Sequence, residues 1–94
     1  MTPNHFIFRS HAIRRMFERK ISEADIKKVV EKSEVIEDYP EDTPYPSKLI
    51  LGWSGSRPLH VVAENKPDKE HIIVTVYEPS LDFWEAGFKR RKQK

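Results

Sequence analysis

His71-Ile72-Ile73-Val74-Thr75-Val76-Tyr77-Glu78 is the stretch on which the fold turns. Six of these eight residues are β-branched or aromatic, the types that suit a pleated surface. Successive side chains of a strand point to opposite faces, so Ile72, Val74 and Val76 point one way and Ile73, Thr75 and Tyr77 the other. Pro79 ends the run because it has no N–H to give to a ladder. Working outward, Asn65–Lys69 turns the chain back toward a strand at Leu59–Glu64, and Ser54-Gly55-Ser56 joins that strand to another at Leu49–Trp53. Connections this short make the three an antiparallel meander. A fourth strand begins at Val35-Ile36 and stops at Tyr39-Pro40. From Pro40 to Pro46 three prolines demand a loop.

The N-terminal third has the helical period instead. Ser10 is placed to cap a helix running to about Lys20, in which Ile13, Met16 and Phe17 fall at i, i+3 and i+4. A second helix starts at Ser22. Ser22 and Asp25 form an acidic capping box, and Ile21 with Ile26 a hydrophobic staple, ahead of a stripe of Ile26, Val29 and Val30. The two stripes have no other apolar surface to meet than the sheet, so both are expected to pack on it. Leu81–Phe88, with Phe83, Trp84 and Phe88, reads as a short C-terminal helix. The expected architecture is α+β: two N-terminal helices on a four-stranded, mainly antiparallel sheet, with a short C-terminal helix.

Ninety-four residues suffice for one modest core, so residues 1–94 read as a single domain. No apolar run approaches the roughly 20 residues of a membrane span. Met1–Arg9 lacks the basic start, apolar stretch and cleavage site of a secretion signal, and with no cysteine there is neither a disulfide framework nor a thiolate metal site. A cytoplasmic protein is expected, with no membrane contact. Net charge is only +2, but it is unevenly spread. Lys89, Arg90, Arg91, Lys92 and Lys94 crowd the basic tail over 89–94, and Arg9, Arg14, Arg15, Arg19 and Lys20 cluster near the start. Carboxylates crowd Glu34–Asp42. Charge separated in this way attracts polyanions to one surface, and the tail is expected to add affinity for RNA without sequence choice. The alternative is that these runs are solvated faces.

There is no phosphate-binding glycine loop, no HExxH, no GxSxG and no zinc-finger spacing. His5, His11, His60 and His71 do not stand at paired metal-ligand spacings, and the acidic run lacks the alternation and glycine of a calcium loop. No metal and no cofactor is therefore expected. The informative pattern is His11-Ala12-x-x-Arg15-Met16-x-x-Arg19, which aligns His11, Arg15 and Arg19 on one helix face. The positive end of the helix and nearby guanidinium groups disfavour an imidazolium at His11, leaving a ring able to accept a proton. Arg15, with Arg14 and Arg19, offers planar donor forks suited to phosphate. Metal-free RNA cleavage needs a proton acceptor for the 2′-hydroxyl beside cations that stabilise the phosphorane. An exposed basic helix face with a surface histidine has the same spacing. Tyr77, at the end of the strongest strand, can donate to a phosphate, stack on a base or simply pack at the edge of the core. His60 reads as a structural histidine, and Trp53 and Trp84 as packing residues.

The ordered series His11-Ala12-x-x-Arg15-Met16-x-x-Arg19-x-Ile21, Asp25-Ile26, Glu37-Asp38-Tyr39-Pro40, Pro46-Ser47, Arg57-Pro58-Leu59-His60-Val61-Val62, Val74-Thr75-Val76-Tyr77-Glu78-Pro79 and Trp84 resembles a family of small bacterial and archaeal domains of unknown function. The likeness spans residues 10–84. That family is similar in turn to the RelE, BrnT and MqsR type of toxin, with helices on a small antiparallel sheet. The resemblance implies an endoribonuclease, free or ribosome-dependent, neutralised by an antitoxin-like protein. It does not extend to the dense Lys/Arg/Tyr cluster of RelE-like enzymes. Two readings follow. Either His11, Arg15 and Tyr77 form a catalytic site, with Arg14, Arg19, Lys89, Arg90 and Arg91 binding RNA, or the chain is a non-enzymatic module that binds protein or nucleic acid.

Overall fold

A computed structural model describes residues 5–32, 34–41, 45–65 and 70–92. The chain runs β1 (His5–Phe8), α1 (Ser10–Arg19), α2 (Glu23–Lys32), β2 (Glu34–Tyr39), β3 (Ser47–Ser54), β4 (Arg57–Asn65) and β5 (Glu70–Tyr77). The strands form one sheet in the order β1-β5-β4-β3-β2. The expected meander of β3, β4 and β5 is present, and β2 adds antiparallel to β3. The fold is α+β, but the four-stranded antiparallel sheet is not what forms. β1 adds a fifth strand, and it lies parallel to β5 from His5↔Glu70 to Phe8↔Ile73. Its four residues sit some 65 positions from their partners. A parallel neighbour that distant is announced by no turn, which is why the local pattern does not reveal it. No helix among the described residues is long and apolar enough to cross a membrane.

Residues 81–88 do not form the expected C-terminal helix. Phe83 N and Trp84 N both donate to the Ser80 carbonyl, beginning a turn, but Glu85 N then bonds to Arg90 O and Lys92 N to Phe83 O. The returning chain takes the Glu85 donor and the Phe83 acceptor that a helix would pair within itself. Gly87 (φ +91°) and Phe88 (φ +62°) make the reversal, a left-handed conformation open to glycine and uncommon elsewhere.

The face that α1 buries is not the expected Ile13–Met16–Phe17 stripe. Ala12 is fully buried and Met16 packs against the core, while Ile13 is 54% and Phe17 87% exposed. Residues 13 and 17 lie about 100° around the helix from 12 and 16, and the rotation that buries 12 and 16 turns them outward. The small Ala12 is what lets α1 come close to β5. Ser10 is the first helical residue rather than the cap; Arg9 holds the cap position and makes no side-chain capping bond. α2 begins as expected: Asp25 N donates to Ser22 Oγ at 3.1 Å and Ser22 N to Asp25 Oδ2 at 3.2 Å. Ile21, Ile26 and Val29 join the core with Ile50, Leu59, Val61, Ala63, Ile73 and Val76.

Ile73 and Val76 reach the same core although strict alternation puts them on opposite faces. The register moves from Val62↔Thr75 to Ala63↔Ile73, so Val74 is an extra residue in β5 and the pleat changes phase there. The bulge sends Val76 to the helices, and Thr75 and Tyr77 to the other face.

Candidate functional site

α1 carries His11, Arg15 and Arg19 at successive turns, and both of its ends are tied to the sheet. At the start, Arg9 N donates to Ile73 O at 3.1 Å and the Arg9 guanidinium meets the buried Glu64 carboxylate at 2.7 Å. At the end, Arg57 donates from Nη2 to the Arg19 carbonyl and from Nη1 to the Lys20 carbonyl at 3.2 Å. Cationic donors there also suit the negative end of the helix. The same guanidinium gives its Nε–H to Glu78 Oε1 at 2.7 Å. Arg57 thus joins the last turn of α1 to the residue after Tyr77, which sets the distance between Arg19 and the end of β5.

The result is a cleft of about 360 Å³ between α1 and the chain that follows β5. His11, Arg15 and Arg19 line one wall, Thr75, Tyr77 and Ser80 the other, and Phe83 and Trp84 the aromatic side. The three residues expected to converge, His11, Arg15 and Tyr77, do line one space. Its volume lies at the small end of the range for ligand sites. Arg15 Nη1 stands 3.6 Å from Glu18 Oε1, too long for a hydrogen bond, and Glu78 adds a carboxylate to the lining. Two guanidinium groups, an imidazole and a phenol around one small opening suit a phosphate with a hydroxyl beside it.

Behind Tyr77 lies His60, its cross-strand partner. His60 is fully buried on the sheet face away from the helices, where the C-terminal segment covers it. Trp84 meets its ring edge-on at 4.4 Å. His60 Nδ1 is 3.1 Å from Tyr77 Oη and Nε2 is 2.9 Å from the Phe88 carbonyl oxygen. Burial holds the His60 imidazole below its ordinary range, partly offset by the bond to Phe88, and burial also pushes the Tyr77 phenol above its usual 10.0. Both are uncharged near neutral pH.

The remaining expected residues lie elsewhere. Arg14 is exposed on α1 and outside the cleft lining. Lys89, Arg90 and Arg91 line a second, wider cleft of about 690 Å³ beyond Trp84, together with Glu37, Glu85 and Tyr39. Lys89 Nζ pairs with Glu34 Oε2 at 2.8 Å, and the Arg91 guanidinium lies 5.3 Å from the centre of the Trp84 ring. These three cations therefore belong to the folded C-terminal segment, with carboxylates beside them. Lys94 lies outside the described residues. Among the described residues no three His, Asp or Glu side chains stand together as a metal-ligand group.

Arg57 reads in the sequence as a strand entry beside a turn, Phe83, His60 and Trp84 read as structural, and Ser80 carries no role. A signal for Arg57, His60 and Ser80 was present. Once the β4–β5 meander is drawn, Arg57–His60 and Tyr77–Ser80 fall at the same end of the sheet, opposite the turn.

A model of a domain of unknown function, DUF4258, matches residues 8–78, and the chain belongs to that family. No curated protein and no solved structure matches it. The matched span takes in α1, the sheet from β2 to β5 and every wall of the cleft except the Pro79–Trp84 segment.

Proposed function

We propose that this DUF4258 chain is an RNA-directed domain of toxin type: a cytoplasmic, metal-independent endoribonuclease, acting on free or ribosome-bound RNA and held in check by an antitoxin-like protein. The observation that carries the reading is the meeting of His11, Arg15, Arg19 and Tyr77 in one cleft. In the reaction, His11 takes the proton of a ribose 2′-hydroxyl and O2′ attacks the adjacent phosphorus. The bond to the 5′-oxygen breaks, the leaving oxygen takes a proton from solvent and His11 releases its own to solvent, and the products are a 2′,3′-cyclic phosphate and a 5′-hydroxyl. Arg15 and Arg19 hold the charge that grows on the phosphorane oxygens. Helices packed on a small, mostly antiparallel sheet also fit the likeness to RelE, BrnT and MqsR toxins, although such likeness transfers architecture better than chemistry.

The antitoxin-like partner has a surface to meet. Ile13, Phe17, Met16, Phe8 and Ile21 line an apolar groove of about 680 Å³ on the side of α1 away from the cleft. Lys20 and Glu23 also line it, so an amphipathic segment that lays its apolar face in the groove is the complement. This same groove favours the second reading, a protein-binding module without catalysis.

The test is cleavage of RNA by wild type and His11→Ala, with and without ribosomes and with excess chelator. Loss of one acid–base group removes about 10²- to 10⁴-fold in rate and should leave the melt nearly unchanged. Equal cleavage by the two proteins, or cleavage of DNA, would refute the mechanism; cleavage by neither would leave the binding module as the better reading.

A further inference from the structure

The His60 ring and the Tyr77 hydroxyl form a hydrogen-bonded chain whose direction can be worked out atom by atom. Nε2 of His60 is 2.9 Å from the carbonyl oxygen of Phe88. A carbonyl has no proton to give, so Nε2 carries the hydrogen. A fully buried, uncharged imidazole has one N–H only, and Nδ1 is therefore left with its lone pair. Tyr77 Oη, 3.1 Å from Nδ1, must then be the donor. The ring cannot turn to reverse these roles without breaking both bonds, and Trp84 and Tyr77 flank it edge-on at 4.4 and 5.1 Å. The phenol proton is thus committed to the interior. Tyr77 lines the cleft, and its oxygen, having given its proton to His60, keeps lone pairs that can only accept.

We infer that His60 is a positioning residue that makes Tyr77 a hydrogen-bond acceptor, so that the cleft selects a phosphate ester carrying a hydroxyl donor, the ribose 2′-hydroxyl, over its deoxy counterpart. The inference rests on the RNA-directed reading for its ligand and adds to it the residue pair that sets sugar choice. Arg15 and Arg19, across the cleft, bind the phosphate of either sugar. Tyr77 distinguishes them in the bound ground state by accepting the 2′-hydroxyl hydrogen, which turns to His11 only when the reaction begins. Only a donor is rewarded at this position. A 2′-O-methyl group, which keeps the oxygen and lacks the hydrogen, gains nothing.

Two measurements test this. The first is the ring 15N spectrum of His60 in the whole chain at pH 7.5, which distinguishes the tautomers whether or not any ligand binds. A protonated Nε2 with a bare Nδ1 is expected; a protonated Nδ1, alone or in an imidazolium, overturns the inference. The second is fluorescence anisotropy at low temperature with single-stranded RNA, DNA and 2′-O-methyl RNA of one sequence, their integrity checked on gels. Wild type should bind RNA about 3- to 10-fold tighter than the other two, the range of one neutral hydrogen bond. Tyr77→Phe should bind all three alike. His60→Asn, whose amide oxygen restores an acceptor near Nδ1, should keep more of the preference than His60→Leu. If wild type binds RNA and 2′-O-methyl RNA equally, the hydroxyl selection is refuted while the RNA-directed reading stands. If none of the three binds, both are refuted.

Discussion

Replacing Tyr77 with phenylalanine removes one oxygen and leaves the ring, and the structure says what that oxygen is worth. Tyr77 Oη is the partner of His60 Nδ1, an acceptor on a side chain with no exposed surface. A hydrogen bond contributes little net stability where its partners can return to water, but an acceptor stranded inside pays the full desolvation cost of about 1–3 kcal/mol. The edge-on contact between the two rings and the packing of Trp84 survive the change, so no cavity term enters. For a chain of this length each kcal/mol lowers the midpoint by about 4–8 °C. Tyr39→Phe is the control. Tyr39 also donates to a side chain, Glu37 Oε2 at 3.0 Å, but that carboxylate is exposed and rehydrates. Its loss should therefore stay within about 0.5 kcal/mol. Urea denaturation of wild type and the two variants gives both numbers, provided the slopes agree. Equal, small losses would refute the reasoning: water entering through the cleft would then satisfy Nδ1, and the Tyr77–His60 bond would hold nothing together.

Phe17→Ala should change stability by no more than about 0.5 kcal/mol despite the size of the side chain, because Phe17 is 87% exposed. Ala12→Leu, which forces bulk between α1 and β5, should cost about 1–3 kcal/mol; a reversed order in thermal melts would show that the helix is rotated. Acid should destabilise the fold before any carboxylate titrates. Burial holds His60 and His71 below their ordinary 6.5, Lys48 adding to the effect on His71, so the unfolded chain binds protons that the native one refuses. Stability is then fully present well above pH 6.5 and falls as the pH drops through 6.5 toward the lowered native values. His60→Asn should flatten that decline in melts taken across the range, and an unchanged decline would exclude His60 as its source.

Interactions that close within a few residues were legible before any tertiary structure. The Ser22–Asp25 box needs only a side chain and a backbone N–H three positions apart, and α2 starts where it says. The meander from β3 to β5 needs only short turns between apolar runs. The line His11–Arg15–Arg19 follows from 3.6 residues per turn, and it is one wall of the cleft. Other features depend on surfaces that local sequence does not contain. Periodicity finds the apolar stripe of α1 but not the face that is buried, because a small Ala12 fits against β5 where Phe17 does not. β1 is extended because β5 offers an unpaired edge, and residues 81–88 abandon the helical pattern because the returning chain binds their backbone. The pairing of His60 with Tyr77 depends on strand register, and the burial that makes His60 an uncharged acceptor on the C-terminal segment folding over it. Helical pitch and turn length are properties of neighbouring residues, whereas burial, and with it the direction of a hydrogen bond, exists only once distant segments have excluded water.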